Sequence, residues 1–313
     1  MKNTDNLIFW DLVSPALNKS INAMGCYKLL YHYTNLNAFE NILNKSSLWL
    51  TDYRFLNDTE ECANISKIML KIRNSDKYKI FNKNLKNIIR KVSEENYFQD
   101  ICNHNSIYYV CSLSSDGDNW SLWNAYTKCA MQAGFALGFN FSNLFSCNDN
   151  AIVHELIANG ALYLSEIIYN DNEKESILYS ILEKANQLYE SSIYTREQIS
   201  TQLKNSLNAL SILYKNSFFE AEKEVRLILK LDDLKHEIYN NSELYKHRIS
   251  GQYIIPYINL PLLKSNILSK IVFSPGTNFA LRKQGVASFL NTKNYLLDIE
   301  NDLIESEIPL RLF

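Results

Sequence analysis

The first patterned stretch of the chain predicts a strand, a short helix and a second strand. KLLYHYT (28–34) and SLWLTD (47–52) are apolar and aromatic enough for strands. Between them, Asn37 and Glu40 have the spacing of a capping box that begins a helix. The apolar face of that helix comprises Phe39, Ile42 and Leu43.

Two longer stretches have apolar residues at helical spacing. Residues 64–98 form an amphipathic segment that is also basic, with nine Lys or Arg against one Asp between 67 and 91. Residues 172–217 contain two long helical patterns, and the second opens with Thr195 and Gln198 as a capping box. We interpret 172–217 as an inserted helical hairpin with an accessory role, such as docking of a partner or substrate.

Further strands are predicted along the rest of the chain. They are SIYYVCSLS (106–114), GFALGFNF (134–141), GALYLSEIIY (160–169), EVRLILKL (224–231), QYIIPYI (252–258), SKIVFSP (269–275) and YLLDI (295–299). Strands and helices neither alternate regularly nor separate cleanly. The pattern therefore predicts one elaborated α+β domain, 1–313, with a mixed β-sheet core and flanking helices.

Composition narrows the class of protein. The 313 residues are 46% hydrophobic, which is enough for a large core, and the formal net charge of -2 predicts no general attraction to nucleic acid or anionic membrane. No run of about 18 apolar residues is present, so we expect neither a signal peptide nor a membrane span. The six cysteines form no C-x-x-C pair, which favours reduced thiols in a cytoplasmic protein.

A cluster of charges marks the start of one predicted strand. Glu222, Glu224 and Arg226 occupy alternate positions, so two carboxylates and a guanidinium would project from one strand face. Arg226 would keep one carboxylate ionised. The cluster is either an exposed strand face or a cleft in which a fixed carboxylate stabilises a developing cation.

An aromatic cluster follows the turn SDGDN (115–119). Trp120, Trp123 and Tyr126 recur at helical spacing, and Asp118 can cap their helix. Such a stripe is either part of the core or a flat wall on which a nucleobase or nicotinamide ring could stack.

The early strand and its following loop supply further polar groups. His32 is either a core residue whose hydrogen bonds are satisfied or, with Thr34 on the same strand face, a residue that binds ribose hydroxyls. Arg54 and Asn57 lie in the loop RFLNDTEE (54–61), where they suit a capped turn or the binding of a phosphate or sugar edge.

These motifs together resemble a bacterial family known as domain of unknown function 2971. The resemblance rests on LYHYT, FLNDTEE, SLSSDGDNWSLWNAY, GFALGF, EKEVRLIL, IVFSPG and SEIPLR, in this order, and covers roughly 29–311. That family name implies no activity by itself.

A more distant resemblance is to the ADP-ribosyltransferases, whose sites combine a histidine on an early strand, a central aromatic or hydroxyl residue and a glutamate on a late strand. It implies NAD as the substrate, with His32 on a ribose and Thr34 assisting. It also implies that Tyr126, or alternatively Trp123, stacks on the nicotinamide. Their usual Ser-Thr-Ser strand motif is not evident, and SLSS (112–115) is a loose substitute.

The same resemblance implies that Glu224, or alternatively Glu222, is the catalytic glutamate, and EKE (222–224) looks like the Glu-x-Glu pair of arginine-directed members. Cleavage of the nicotinamide–ribose bond passes through an oxocarbenium-like state that a carboxylate stabilises, and no metal is required. We therefore expect an NAD-consuming ADP-ribosyltransferase or NAD glycohydrolase, of the kind used as bacterial toxins or antiphage defence effectors, with protein and nucleic acid as the candidate acceptors. The alternatives are a non-catalytic ligand-sensing or partner-binding protein of the same fold and a nucleic-acid-directed protein that uses 67–91.

Overall fold

The computed structural model describes residues 29–56, 63–94, 106–127, 133–142, 151–159, 161–191, 193–231, 237–261 and 267–309. Within them the strands are β1 (Leu30–Asn35), β2 (Ser47–Asp52), β3 (Ile107–Ser114), β4 (Gly134–Phe139), β5 (Leu162–Glu166), β6 (Glu224–Leu231), β7 (Tyr245–Ser250), β8 (Tyr253–Pro261), β9 (Leu268–Phe273) and β10 (Leu303–Glu305). The α-helices are α1 (Leu36–Lys45), α2 (Ala63–Arg73), α3 (Lys83–Val92), α4 (Trp120–Thr127), α5 (Ala151–Ala158), α6 (Asp171–Ser191), α7 (Arg196–Ser211) and α8 (Phe279–Thr292). Short 3-10 helices are Tyr53–Phe55, Asp76–Ile80, Ser217–Glu222 and Glu237–Asn240.

The ten described strands form one mixed sheet, which confirms the predicted α+β class. The order is β10-β9-β4-β1-β3-β2-β8-β7, with β6 on β3 and β5 on β6. The β10–β9 pair is parallel and the other strand pairs are antiparallel. Strand β3 pairs with β6 along its whole length, with β1 at Ser114, and with β2 at Val110 and Tyr109. The sheet therefore branches at β3.

Strand alternation divides the core between the two faces of the sheet. Tyr108 and Val110 of β3 pack into a cluster with α2, α3, α6 and α7. Tyr109 and Cys111 point the other way, into a cluster with α1, α5 and α8. Both faces of β3 are buried because helices cover both sides of this part of the sheet.

The helical hairpin has its two predicted helices, α6 and α7, and the predicted capping box at Thr195 and Gln198 is present. The docking role of the hairpin stays a prediction, but the hairpin is not separate from the core. The buried side chains of both helices form much of the cluster that covers β3 and β6; they include Leu178, Ile181, Leu182, Leu203 and Leu207. The hairpin is therefore a layer of the core. The local sequence pattern of its two helices does not reveal this packing.

The basic segment contains α2 and α3, whose apolar residues pack inward while most of its Lys and Arg side chains are exposed. Its last residues, 95–98, lie outside the described residues. None of the helices in the described part of the chain combines the length and apolarity needed to cross a bilayer.

Two local predictions were wrong. Helix α1 is capped by Asn35, whose side chain accepts the backbone N–H of Ala38, and not by the Asn37–Glu40 box. YLLDI (295–299) is not a strand; the strand here is β10, whose Leu303 is buried while Leu296 is largely exposed. In the second case, pairing with β9 involves Leu303–Glu305 and not YLLDI, and local strand propensity does not decide between them.

Candidate functional site

A cavity of about 400 Å³ lies where β1, β3 and β6 meet helix α4 and the segment that follows α7. Its aromatic wall comprises Tyr31, Tyr33, Tyr126 and Phe219. Its charged groups are Lys215, Glu222, Glu224 and Arg226. The volume is within the range of small-molecule sites, and a lining that combines aromatic rings with charged groups suits a polar ligand that carries a flat ring.

The charged residues of the cavity lining form a connected network of ion pairs. Arg226 Nε donates to Glu224 Oε1 at 2.7 Å, and Lys215 Nζ donates to Glu224 Oε2 at 2.9 Å. The same lysine nitrogen donates to Glu222 Oε2 at 2.7 Å. Glu224 and Arg226 are almost fully buried, with side-chain exposures of 3% and 1%, whereas Glu222 is 21% exposed. Two carboxylates and two cations thus neutralise one another at the cavity wall.

This network fixes the charge state of Glu224. Burial would raise the pKa of Glu224, but the charges of Arg226 and Lys215, with their hydrogen bonds, outweigh burial and lower the pKa to about 2. Burial would likewise lower the pKa of Lys215, but attraction to Glu224 and Glu222 raises the pKa above its ordinary value. Glu224 is therefore a carboxylate and Lys215 an ammonium across the physiological range.

The two glutamates converge for a reason other than strand alternation. Glu222 ends the Ser217–Glu222 turn and Glu224 begins β6, so the predicted shared strand face holds only for Glu224 and Arg226. Lys223 between them is left-handed, with φ of 47°, and this reversal brings both carboxylates to Lys215. The turn is held by Ser114, whose hydroxyl donates to the Glu222 carbonyl at 2.7 Å. A pair of Lys223 with Asp116 at 2.9 Å also holds it.

The hairpin delivers Lys215 to the site. After α7 the chain forms a short parallel bridge with the segment that follows β5, in which the Ile168 N–H donates to the Leu213 carbonyl at 2.8 Å. Arg226 also donates to the carbonyl of Ile212. Tyr214 is fully buried, and its hydroxyl donates to the Lys174 carbonyl at 2.9 Å. The backbone that carries Lys215 is therefore held by the bridge to Ile168 and by the buried Tyr214.

Helix α4 supplies part of the aromatic wall, but only Tyr126 of its three predicted aromatic residues lines the cavity. Trp123 is fully buried against Tyr33, with ring centroids 4.6 Å apart, and so belongs to the core. Trp120 is 44% exposed and does not line the cavity. Loss of hydration at the Tyr126 hydroxyl and the charges of Glu224 and Glu222 raise the pKa of Tyr126 to about 12.

The cap of α4 is Asn119 and not the predicted Asp118. The Asn119 side chain accepts the backbone N–H of Ser121 at 3.0 Å and its amide donates to the Ala221 carbonyl, which ties α4 to the turn before Glu222. Asp118 instead accepts the indole N–H of Trp123 at 2.7 Å. This polar bond explains why the buried indole is tolerated in the core.

His32 and Thr34 are not brought to the cavity. Tyr31 and Tyr33 of β1 line it, so alternation turns His32 and Thr34 to the opposite face of the strand. There the His32 ring lies 3.1 Å from the Ser112 carbonyl and Thr34 is buried. Burial lowers the pKa of His32, against the opposing effect of this hydrogen bond. His32 therefore does not line the same cavity as Tyr126 and Glu224, although the ADP-ribosyltransferase resemblance implied one site for all three.

The loop residues predicted to bind phosphate are likewise elsewhere. Arg54 does not line the cavity and pairs with Asp52, a fully buried carboxylate of the same short segment. Asn57 lies outside the described residues. Arg54 thus acts as a partner of Asp52, as the capped-turn alternative implied.

Sequence reasoning missed Lys215 and three of the four cavity aromatics, Tyr31, Tyr33 and Phe219. Because side chains alternate along LYHYT, Tyr31 and Tyr33 were as plausible as His32 as site residues. Assigning the other face of this strand to the site would have identified both tyrosines. The sequence around Lys215, ILYKNSFF (212–219), has no charge pattern that separates it from other lysines. Only the tertiary bridge to Ile168 places it beside the glutamates.

Fold and site together define an α+β protein whose mixed sheet carries a ligand-sized cavity with a buried, ionised carboxylate in its wall. Residues 122–227, about a third of the chain, match the family model described as protein of unknown function (DUF2971), so the chain is similar to that family over this region. The matched residues include the whole ion-pair network. No curated protein and no solved structure matches the chain.

Proposed function

We propose that this protein cleaves the nicotinamide–ribose bond of NAD, as an NAD glycohydrolase or an ADP-ribosyltransferase. The observation that carries the proposal is the ionised Glu224 in the wall of a cavity that is also lined by Tyr31, Tyr33, Tyr126 and Phe219. A carboxylate that stays charged stabilises an oxocarbenium-like ribose more than it stabilises the ground state.

The cavity suits the nicotinamide riboside end of NAD. In the proposed complex the cationic nicotinamide ring packs against Tyr126 and Tyr31, and its ribose C1′ lies near Glu224. The bond between C1′ and the ring nitrogen breaks, and nicotinamide leaves neutral with the electron pair of that bond. Water or an acceptor nucleophile then bonds to C1′ and loses a proton, for which the partly exposed Glu222 is the nearby base. His32 has no role in this proposal because it faces the other side of β1.

A second candidate is a ligand-sensing protein of the same fold without chemistry. It is favoured by the saturation of Glu224, since both carboxylate oxygens already accept hydrogen bonds from Arg226 or Lys215. A fully bonded carboxylate is a rigid recognition element, and the neutral ion-pair wall would bind a ligand without activating it.

Release of nicotinamide from NAD, measured by chromatography with and without cell lysate as a source of acceptors, tests the proposal. Glu224→Gln keeps the shape and removes the charge, so we expect turnover to fall on the order of 100-fold with little change in KM. Glu243→Gln is the control, because Glu243 is exposed and does not line the cavity. Equal turnover by folded Glu224→Gln and the wild type would overturn the catalytic proposal. Saturable binding of NAD without cleavage would favour the ligand-sensing candidate.

A further inference from the structure

We propose that Lys215 is a positioning residue that sets the spacing of Glu222 and Glu224, so that the two carboxylates act on one ligand. The chemical part of this inference rests on the proposed NAD cleavage. The structural part, which concerns the two carboxylates alone, does not.

The geometry gives Lys215 this role because one nitrogen contacts both carboxylates. The Oε2 atoms of Glu222 and Glu224 cannot be farther apart than the two contact distances, 2.7 Å and 2.9 Å, laid end to end. Two carboxylates that close repel each other, and the repulsion is costly unless a cation lies between them. Lys215 is that cation.

Arg226 cannot replace it. The guanidinium of Arg226 contacts both oxygens of Glu224 and the Ile212 carbonyl. Within the described contacts, the Glu222 carboxylate meets Lys215 and no other cation. Loss of the lysine charge should therefore release Glu222 toward solvent while Glu224 stays bound to Arg226.

Lys215 is also preorganised for the task. The backbone N–H of Lys215 donates to the Ile168 carbonyl at 3.3 Å, and the Lys215 ammonium lies 4.8 Å from the centre of the Phe219 ring. The residue is 7% exposed, so its long side chain has little freedom. A side chain held by a bridge, a ring and two acceptors orients the carboxylates without paying rotamer entropy at each encounter with ligand.

The pH dependence of activity should depend on the contact between Lys215 and the two carboxylates. The other titratable groups near the carboxylates are Tyr126 of α4 and Tyr169 after β5, besides Arg226 on the same strand as Glu224; the charge of Glu224 also acts on Cys111, which points to the opposite face of β3. Loss of hydration and the charge of Glu224 raise the pKa of Tyr126, Tyr169 and Cys111 to about 12. These hydroxyl and thiol groups therefore stay protonated over the acidic range in which Glu224 titrates.

Three variants test the inference. Lys215→Met removes the charge and keeps the chain length, and Lys215→Arg restores a cation. Lys174→Met is the matched control: Lys174 is a buried lysine of the same hairpin, paired with Asp171 and absent from the cavity lining. We expect Lys215→Met to lower kcat on the order of 100-fold, since small misplacement of reacting groups has effects of this size. The acidic limb of its pH–activity profile should shift to higher pH. Lys215→Arg should restore much of the lost kcat and of the pH shift. Lys174→Met should lower the stability of the protein without shifting the acidic limb.

A second readout needs no catalysis. Nuclear magnetic resonance of ¹³C-labelled glutamate follows the titration of Glu224 directly, with Glu224→Gln identifying its signal. A higher titration midpoint in Lys215→Met supports the positioning role even where the wild type releases no nicotinamide, an outcome that would reject only the proposed function. An unchanged midpoint in a folded Lys215→Met variant would overturn the positioning role.

Discussion

The stability effect of Glu224→Gln at different pH values is the sharpest test of the ion-pair network. Glutamine has the shape of the protonated acid and cannot ionise. At any pH the variant therefore resembles a wild-type protein whose Glu224 is neutral. The difference in unfolding free energy between the two proteins measures what the charge of Glu224 contributes.

The magnitude follows from the depressed pKa. Arg226 and Lys215 lower the pKa of Glu224 from 4.5 to about 2 against the effect of burial. Each tenfold change in the acid dissociation constant corresponds to about 1.4 kcal/mol, so the folded state gains about 3 kcal/mol from this carboxylate. Because the pKa is lower in the folded than in the unfolded protein, this stabilisation is complete above about pH 4.5. It is lost as the pH falls toward 2.

Urea unfolding followed by tryptophan fluorescence, at several values from pH 7 down to pH 3, measures the effect. We expect Glu224→Gln to be about 3 kcal/mol less stable than the wild type at pH 7, with a gap that narrows steadily below pH 4.5. Glu243→Gln, an exposed partner of Lys246, should stay within about 0.5 kcal/mol throughout. A gap below about 1 kcal/mol at pH 7, or one that is the same at pH 3.5 as at pH 7, would refute the network as described.

Two further predictions concern the hairpin and the turn before β6. Leu207→Ala should cost about 2–5 kcal/mol in the same urea assay and leave one unfolding transition, because Leu207 is fully buried in the shared core; Ile193→Ala, at an exposed hairpin position, should be near neutral. A separate early transition in Leu207→Ala would mean that the hairpin unfolds independently. Lys223→Gly should be about 1 kcal/mol more stable than Lys223→Ala, since both lose the Asp116 pair and only glycine adopts the left-handed φ freely. Equal stabilities would show that this backbone geometry carries no strain.

The sequence predicted most elements of the fold because their signals are local. The apolar periodicity of 64–92 and the Thr195–Gln198 capping box act within a few residues, and both appear as expected. The strand QYIIPYI was found as part of β8, whereas β7 was missed. Strand β7 has the sequence YKHRIS, is mostly exposed and lacks the apolar run that marks a core strand.

Part of the cavity lining was predicted from the sequence. Glu222, Glu224, Arg226 and Tyr126 line one cavity, and the sequence had grouped the first three by their spacing. The choice of His32 over its neighbouring tyrosines depended on which face of β1 meets the cavity, and that face is set by pairing with β3 and β4. Lys215 depends on a bridge to a segment about 45 residues earlier, which no local pattern encodes.

The branching of the sheet at β3 has a consequence for synthesis of the chain. One edge of β3 waits for β6, and the pairing of Ser114 with Glu224 joins residues about 110 positions apart. At roughly 5–20 residues per second, that edge of a nascent β3 stays open for about 5–25 s. Apolar and aromatic side chains project from both faces of the strand, so during this interval β3 can associate with other nascent chains. Recovery of folded protein should therefore be limited by this interval, and slower, cooler expression with abundant chaperones should favour it.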